Sequence, residues 1–371
     1  MTDEYDVIIV GAGFVGLTLA FAFANTNKRV AVIEAKQKSE KKQQHNLDSR
    51  ALALSFKSKQ ILEQLQIWPH LEPQTIKEVH ISEQGGFGKL YLTAKEQQLD
   101  ALGYVVRAHQ LGETLLNLCE AQKNITWFCP QTLEDVQQDA EKISAILNQQ
   151  KNITAQLLII AEGVDSLSRT QQAFDTWTRD YEQIAQIGNI SLSHANANTA
   201  YQRFTNEGTI ALLPLGDKRF TLVWTVKKDF KQELSDQDFL KKIQALIGFQ
   251  LGTAYDLGPR QSYPLKAVFV EKAYDGRLLL MGNAAHTLNP IAAQGFNLTL
   301  RDIECLLNES SLAKYQAKRL DDQKNMLRFT DSLVDLSSMK YGKHLRSFGL
   351  STLNYLPFAK RRLYEHLLGY A

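Results

Sequence analysis

Near the N-terminus the sequence runs Asp6-Val7-Ile8-Ile9-Val10, then Gly11-Ala12-Gly13-Phe14-Val15-Gly16, then the helix-forming residues 17–25. An apolar run of strand length, followed at once by G-x-G-x-x-G and a helix, is a strand–turn–helix unit with the dinucleotide fingerprint. Gly11 permits the tight turn, Gly13 lets backbone N–H groups approach a pyrophosphate, and Gly16 allows the helix to pack close to the strand. Phe14 and Val15 lie within the fingerprint, just ahead of the expected helix, and are counted with its glycines as candidate cofactor contacts. A second strand over 30–33 ends in Glu34-Ala35. A carboxylate at that place can grip a ribose hydroxyl and would repel a 2′-phosphate, so the ADP-ribose of FAD or NAD fits better than NADP. The plain alternative is an ordinary glycine-rich turn.

Two further glycine-centred stretches follow. The apolar 277–281 runs into Gly282-Asn283, and a loop of small residues passes through Pro290 to Gln294-Gly295-Phe296-Asn297 and the helical 296–307. Such a loop brings backbone close to a planar ring, and the helix start faces any anion placed there. Reduced flavin carries such a charge at its N1–C2=O edge. Between the two lies Leu157-Leu158-Ile159-Ile160-Ala161-Glu162-Gly163-Val164-Asp165-Ser166-Leu167-Ser168-Arg169. By itself it reads as a buried strand and a polar turn.

The chain has 371 residues, 44% of them hydrophobic, which suffices for one large domain or two ordinary ones. A net charge of +2 is too near balance for general nucleic-acid binding. Cys119, Cys129 and Cys305 lack metal or redox spacing, so reduced thiols and a cytoplasmic setting are expected. Residues 7–24 mimic a signal peptide, but Asp3, Glu4 and Asp6 precede them in place of a basic region. No other stretch approaches 18 apolar residues, so no membrane span is expected. The eight histidines show no H-x-x-x-H spacing and no G-x-S-x-G occurs, so no metal site or nucleophile elbow is expected, and redox chemistry needs a cofactor.

No repeat or clear linker divides the chain. Only 36–46, rich in Lys and Gln, looks like a solvated loop. Interleaved domains are expected: 1–75, 100–175 and 265–310 for the cofactor, 76–99 and 176–264 for a smaller sheet-based domain, and 311–371 as a helical segment. Strands are expected over 200–204, 209–213 and 220–226, with a turn at Gly216-Asp217. The Gly85-Gly86-Phe87-Gly88 cluster precedes no helix and reads as a hairpin turn.

Together the three motifs make the chain similar to the flavoprotein aromatic hydroxylases of the p-hydroxybenzoate hydroxylase type. These pair G-x-G-x-x-G with D-G-x-x-S-x-x-R and a later G-D-x-x-H-x-x-x-P. Residues 48–54, 290–298 and 330–334 resemble the D-x-R-A-x-A-L, P-x-A-G-Q-G-x-N-L and T-D-x-L-V strings of the ubiquinone-biosynthesis branch, the UbiH-like polyprenyl-methoxyphenol hydroxylases in particular. Three positions depart from the general pattern: Glu162 and Asn283 stand where Asp is usual, and Ala293 replaces a Gly. The Asn is itself a feature of the UbiH-like branch.

The resemblance implies an α/β protein, a Rossmann-like FAD-binding domain interleaved with a smaller mixed or antiparallel-sheet substrate domain of α+β type. It implies tightly bound, non-covalent FAD, with NAD(P)H and O2 as co-substrates, and hydroxylation of a polyprenylated phenol through a C4a-hydroperoxyflavin. Two alternatives stand: an FAD-binding subunit of a ubiquinone-synthesis complex with attenuated catalysis, and a hydroxylase of another ring position or aromatic substrate. On the family pattern Arg50 lies beside the ribityl and pyrophosphate region and His109 replaces a flavin-contacting Arg. Glu162, Gly163, Gly282 and Asn283 border the cofactor. Pro290, Gln294, Gly295, Phe296 and Asn297 supply flavin-loop electrostatics, with no side-chain base. Pro214, Leu215 and Phe204 are candidate walls of the substrate cavity. Arg107 is a candidate for phosphate pairing or a solvated charge, and His286 a catalytic base or, preferably, a packing residue. The plain alternatives elsewhere are an exposed helix-start arginine for Arg50, a structural histidine for His109, core for Phe204 and Phe296, and a helix-surface or capping acid for Asp302.

The basic C-terminal residues Lys340, Lys343, Arg346, Lys360, Arg361 and Arg362 face one nearby acid, Glu365, and alternate with Leu345, Phe348, Leu353, Leu356, Phe358, Leu363 and Leu367. This segment is a candidate contact with the inner face of a membrane or a partner, or simply packing. A ubiquinone-biosynthesis complex and a homo-oligomer are the further candidate partners.

Overall fold

In the computed structural model, which describes residues 3–37, 40, 50–148, 151–230, 234–339 and 342–370, strand Asp3–Val10 pairs in parallel with Asn152–Ile160 and Val30–Ile33. Asp48, Ser49, most of 36–46 and Lys340 lie outside the described residues. Ile125–Phe128 extends the parallel run on one side and Leu278–Leu280 on the other. Successive side chains on a strand point to opposite faces. Val7 and Ile9 therefore enter one core, and Ile8 and Val10 another. Helices Phe14–Ala24 and Ala108–Glu120 close the first with Leu17, Phe21, Leu111 and Leu115. The antiparallel pair Leu133–Gln138 and Ile143–Leu147 closes the second. Burial on both faces explains why residues 7–10 of this strand are continuously apolar. The first helix starts at Phe14, three residues before the expected 17, inside the glycine motif itself.

A second, mostly antiparallel sheet is centred on Trp177–Leu192, which pairs with Arg219–Lys227 and Gln261–Phe269. Gly208–Pro214, Thr199–Thr205 and Glu78–Glu83 follow in order from Arg219–Lys227. Lys89–Thr93 ends the sheet as a hairpin with Glu78–Glu83, and the Gly85–Gly88 cluster is its turn, as expected. One face packs on helix Asp236–Ile247 through Phe220, Leu222, Trp224, Phe239 and Ile243. Strand Gln261–Phe269 runs across the boundary expected at 264/265, and His286–Thr287, inside the third motif, pairs with Val268 and Phe269. The second sheet thus continues into the third-motif loop.

A small antiparallel sheet, with Gly103–Arg107 between Ala51–Ser55 and Gln74–Ile76, joins the two. The chain closes with helices Leu312–Ser338, Lys343–Leu353 and Pro357–Leu368. Leu350, Tyr364 and Leu368 pack on Leu90, Leu92 and Phe204. Phe204, a candidate cavity wall, is therefore core beneath the C-terminal helices. The one-acid reading of that segment is also corrected, because its charges find partners far away in sequence: Arg346 makes a two-pronged pair with buried Glu83, and Lys360 pairs with Glu96. No helix among the described residues is long and apolar enough to cross a membrane.

Candidate functional site

The three glycine-centred motifs meet around one cavity of about 640 Å³. Gly11, Gly13, Phe14 and Val15 line it from the first motif, with Glu34 and Ala35 at the end of the neighbouring strand. Glu162 and Gly163 line it from the second; Asn283, Pro290, Ala293, Gly295 and Phe296 from the third; Arg50 from the small sheet. The glycines do different work. A Cβ on Gly16 would sit 1.8 Å from the Gly11 carbonyl oxygen, so only glycine lets this helix lie so close to the turn. Gly11 has φ +101°, and a Cβ there would meet the Ala161 carbonyl at 2.8 Å. Gly13, Gly163 and Gly295 are the reverse: a Cβ on any of them would meet nothing within 4 Å. Their bare backbones form a cradle that side chains would fill.

Both helices that start at this cavity, Phe14–Ala24 and Gly295–Asn308, lack a side-chain cap and carry no acid in the first turn. Two positive dipole ends therefore border one cavity, which suits a group with a pyrophosphate at one end and an anionic ring at the other. The Phe14 and Phe296 rings meet edge-on, centroids 6.2 Å apart, at the junction of the two starts. Glu34 is held ready by the turn, its Oε2 accepting from the Ala12 N–H at 2.8 Å and its Oε1 from the Lys36 N–H at 3.0 Å.

Glu162 folds its own motif. Its carboxylate accepts from Ser166 Oγ at 2.7 Å, from Ser168 Oγ at 2.9 Å and from the Ser168 N–H at 3.1 Å. Arg169 is buried and donates to the Val164 carbonyl at 3.0 Å and to the Ala284 carbonyl at 3.1 Å, tying the second motif to the third. In the third motif, Asn297 faces away from the cavity. Its Oδ1 accepts from the Ser55 N–H and Ser58 Oγ, and its Nδ2 donates to the Ala53 and Ala293 carbonyls. Those four bonds fill the capacity of the side chain, which thus brackets the loop from behind. Gln294 is likewise buried off the cavity wall and donates to the His366 carbonyl at 3.3 Å. Gly282, φ +63°, packs on Val15.

Behind the loop lies a buried charge network. Asp302, expected on the helix surface or at a cap, is fully buried, meeting His286 Nε2 at 2.6 Å, Arg319 Nε at 2.6 Å and Gln323 Nε2 at 3.0 Å. Burial works to raise its pKa, but Arg319 and His286 outweigh that and hold the carboxyl at about 2. Burial opposes the charge on Arg319 too, and Asp302 and Asp322 nevertheless raise its pKa.

The wall opposite the motifs belongs to the second sheet: Ile187, Leu213 and Val223. Leu213 takes the place expected for Pro214, because alternate residues of Gly208–Pro214 point to opposite faces and Pro214 is out of phase. Leu215 lies past the strand end and packs with Leu213 near Ile76 and Val105. His109 is half-buried in the first turn of Ala108–Glu120, and Arg107 is exposed, donating to the Leu215 carbonyl at 3.3 Å; neither lines the cavity. Gln131, Thr132, Asp165 and Leu167 line it without having been singled out. No glycine pattern marks the first two; their place beside Glu34 comes from the pairing of Ile125–Phe128 with Val30–Ile33.

A family model described as an FAD binding domain matches residues 4–323. Ubiquinone hydroxylase UbiL of Rhodospirillum rubrum is 29% identical over 385 residues, covering 98% of this chain and 89% of that protein. The 3-demethoxyubiquinol 3-hydroxylase of Escherichia coli is 26% identical, and the alignment covers 100% of both. Among solved structures, p-nitrophenol 4-monooxygenase PnpA of Pseudomonas putida superposes with a TM-score of 0.79 at 16% identity over 100% of each chain, a likeness of fold. With 320 consecutive positions matched and the glycine cradle formed at the places the motifs require, the chain belongs to the FAD binding domain family.

Proposed function

We propose that the protein is an FAD-dependent monooxygenase that uses NAD(P)H and O2 to hydroxylate a polyprenylated phenol in ubiquinone biosynthesis. The observation that carries the reading is the single cavity in which the three motifs face Ile187, Leu213 and Val223. FAD, when bound, supplies the redox chemistry, accepting reducing equivalents from the nicotinamide and activating oxygen. The chain supplies position and field. Gly13 and the first helix start would hold the pyrophosphate, and Glu34 the ribose. Arg50 and Asn283 would flank the ribityl chain, with the Glu162-Gly163 turn beside it. The Gly295 helix start, with Pro290 and Phe296, would stabilise negative charge on the flavin. The apolar wall would receive the phenol and exclude water. In this reading the first sheet and third-motif loop form the cofactor part and the second sheet the substrate part. Both relatives named above are ubiquinone-pathway hydroxylases, which supports the substrate class.

A polyprenyl substrate partitions into lipid, and the proposed contact is the outer face of the last two helices. Leu345, Phe348, Tyr355, Leu356 and Phe358 are exposed there beside Arg361 and Arg362. The test of the activity uses FAD-loaded protein. Anaerobic NADH or NADPH should bleach the flavin, faster with a prenylated phenol present, and oxygen should then yield product heavier by one oxygen atom. A flavin that stays oxidised with both nicotinamides and a panel of phenols would favour an FAD-binding assembly subunit.

A further inference from the structure

On the face of the second sheet that packs against helix Asp236–Ile247, two cross-strand rows lie side by side at the edge. In one, Tyr201 is opposite His80 and His80 opposite Tyr91. The His80 ring stacks on Tyr91 with centroids 4.5 Å apart and meets Tyr201 edge-on at 5.7 Å. In the next row, two residues along each strand, Arg203 is opposite Ser82 and Ser82 opposite Lys89. The two-residue period of a strand puts all six on one face. The second row borders a cavity of about 350 Å³, completed by the hairpin turn at Gly85 and Gly86 and by Phe249 beyond the helix. This cavity shares no lining residue with the cofactor cavity.

Its charges do not balance. One carboxylate, Glu83, reaches the wall, and both its oxygens are taken by Arg346 at 2.7 and 2.8 Å. Arg203 and Lys89 remain. Arg203 donates from Nη1 to Ser82 Oγ at 3.3 Å, while its Nε is buried with no partner among the described residues. The effect reaches the neighbouring row, where burial, then Lys89 and Arg203, lower the pKa of His80. The hairpin wall is rigidly placed: Gly88 N donates to Ser347 Oγ at 2.5 Å, and a Cβ on Gly88 would sit 2.0 Å from the Ser347 carbonyl oxygen. Phe249, 71% exposed, stands on the wall as an uncovered flat surface.

We propose that this cavity is a second ligand site, for a small organic phosphate monoester, with the phosphate between Arg203, Ser82 and Lys89 and the organic part against Phe249. A guanidinium fork, an ammonium and a hydroxyl from three adjacent strands match the three oxygens of a dianion. The volume lies within the roughly 300–1,000 Å³ usual for small-molecule sites. The same chemistry is offered by a soluble metabolite and by the headgroup of a phosphatidate. The probe is phenyl phosphate, titrated calorimetrically into FAD-loaded protein so that the phosphate-binding end of the cofactor cavity is already occupied. Saturable, salt-sensitive binding is expected, weakened at least tenfold by Arg203→Gln and several-fold by Lys89→Gln, and unchanged by Lys95→Gln outside the cavity. Arg203→Lys, which keeps the charge and loses the fork, should fall between wild type and Arg203→Gln, with melting temperatures confirming that each variant is folded. Phosphatidate vesicles that displace phenyl phosphate support the site with a lipid source, and vesicles that do not displace it support it with a soluble one. Absence of saturable binding, or equal affinity in wild type, Arg203→Gln and Lys89→Gln, overturns the proposal.

Discussion

His286 Nε2 lies 2.6 Å from Asp302 Oδ2, with both side chains withdrawn from solvent. The contact straps the third-motif loop to helix Gly295–Asn308, and Arg319 and Gln323 on Asp302 Oδ1 extend the strap to helix Leu312–Ser338. The loop that lines the cavity is thereby held from behind by charge. A depressed carboxyl pKa means that the folded state holds the charged form better than the unfolded chain does. The contribution of Asp302 is complete above about pH 4 and is lost as pH falls toward 2, its value in the fold. It is on the order of 2 kcal/mol. Urea unfolding of wild type at pH 7, 4 and 3 should show that decline. Asp302→Asn should flatten it and cost about 3 kcal/mol at pH 7, because the buried Arg319 loses one of its two carboxylates and keeps only Asp322. An acid limb equally steep in the variant would remove Asp302 as its source.

Gly13 and Gly16 stand three residues apart and should fail in opposite ways. Gly13→Val points into open cavity, so the protein should fold with stability within about 1 kcal/mol of wild type and emerge without flavin. Gly16→Ala drives a methyl into the Gly11 carbonyl and should cost about 3 kcal/mol or more. Flavin absorbance after purification and denaturant midpoints read both. A Gly13→Val protein with full flavin content would move the pyrophosphate elsewhere.

Ala293 lines the cavity at φ +52°, a left-handed conformation that costs a Cβ-bearing residue roughly 1 kcal/mol. Ala293→Gly should therefore stabilise the protein, by up to about 1 kcal/mol, while flavin content is retained. An unchanged or lower melting temperature would show that the strain is relieved by the contacts its methyl makes.

The parts of the site legible in the sequence are those set by local chain geometry. A glycine's duty depends on its own φ and its nearest neighbours, so Gly11, Gly13 and Gly16 could be assigned before any fold was known. Strand phase is also local, but Leu213-Pro214-Leu215 runs apolar through the end of a strand, with no polar residue to mark which face is in, and the wall fell one residue off. Asn297 and Asp302 were not legible, because what decides their roles arrives from far away. Ser55 meets Asn297 across 242 positions and Arg319 meets Asp302 across 17. The pairing of Lys360 with Glu96 is hidden for the same reason, and it changes how the last helix is to be tested.

Reversal of charge at the C-terminus should spare Lys360, since its ion pair with Glu96 helps to hold the helix on the sheet and its loss would confound packing with docking. Arg361 and Arg362 are the informative pair. Arg361 is 79% exposed and pairs with its i,i+4 neighbour Glu365, and Arg362 lies over the exposed Phe358 ring at 5.2 Å. The apolar side chains of this helix divide cleanly: Leu363 and Leu367 pack with Tyr364 and Leu368 on the sheet, while Phe358 is 71% exposed. If the outer face docks on anionic lipid, each cation contributes on the order of 1 kcal/mol at low salt, and a buried phenyl ring about 2 kcal/mol. Arg361→Glu with Arg362→Glu should weaken sedimentation with phosphatidylglycerol vesicles more than tenfold, with the loss shrinking as salt is raised. Phe358→Ser should weaken it by a similar amount without that salt dependence. Both variants should keep wild-type melting temperature, flavin content and turnover of a short-chain phenol. Vesicle binding that survives all three substitutions, or a parallel fall in short-chain turnover, would mark the face as a packing surface.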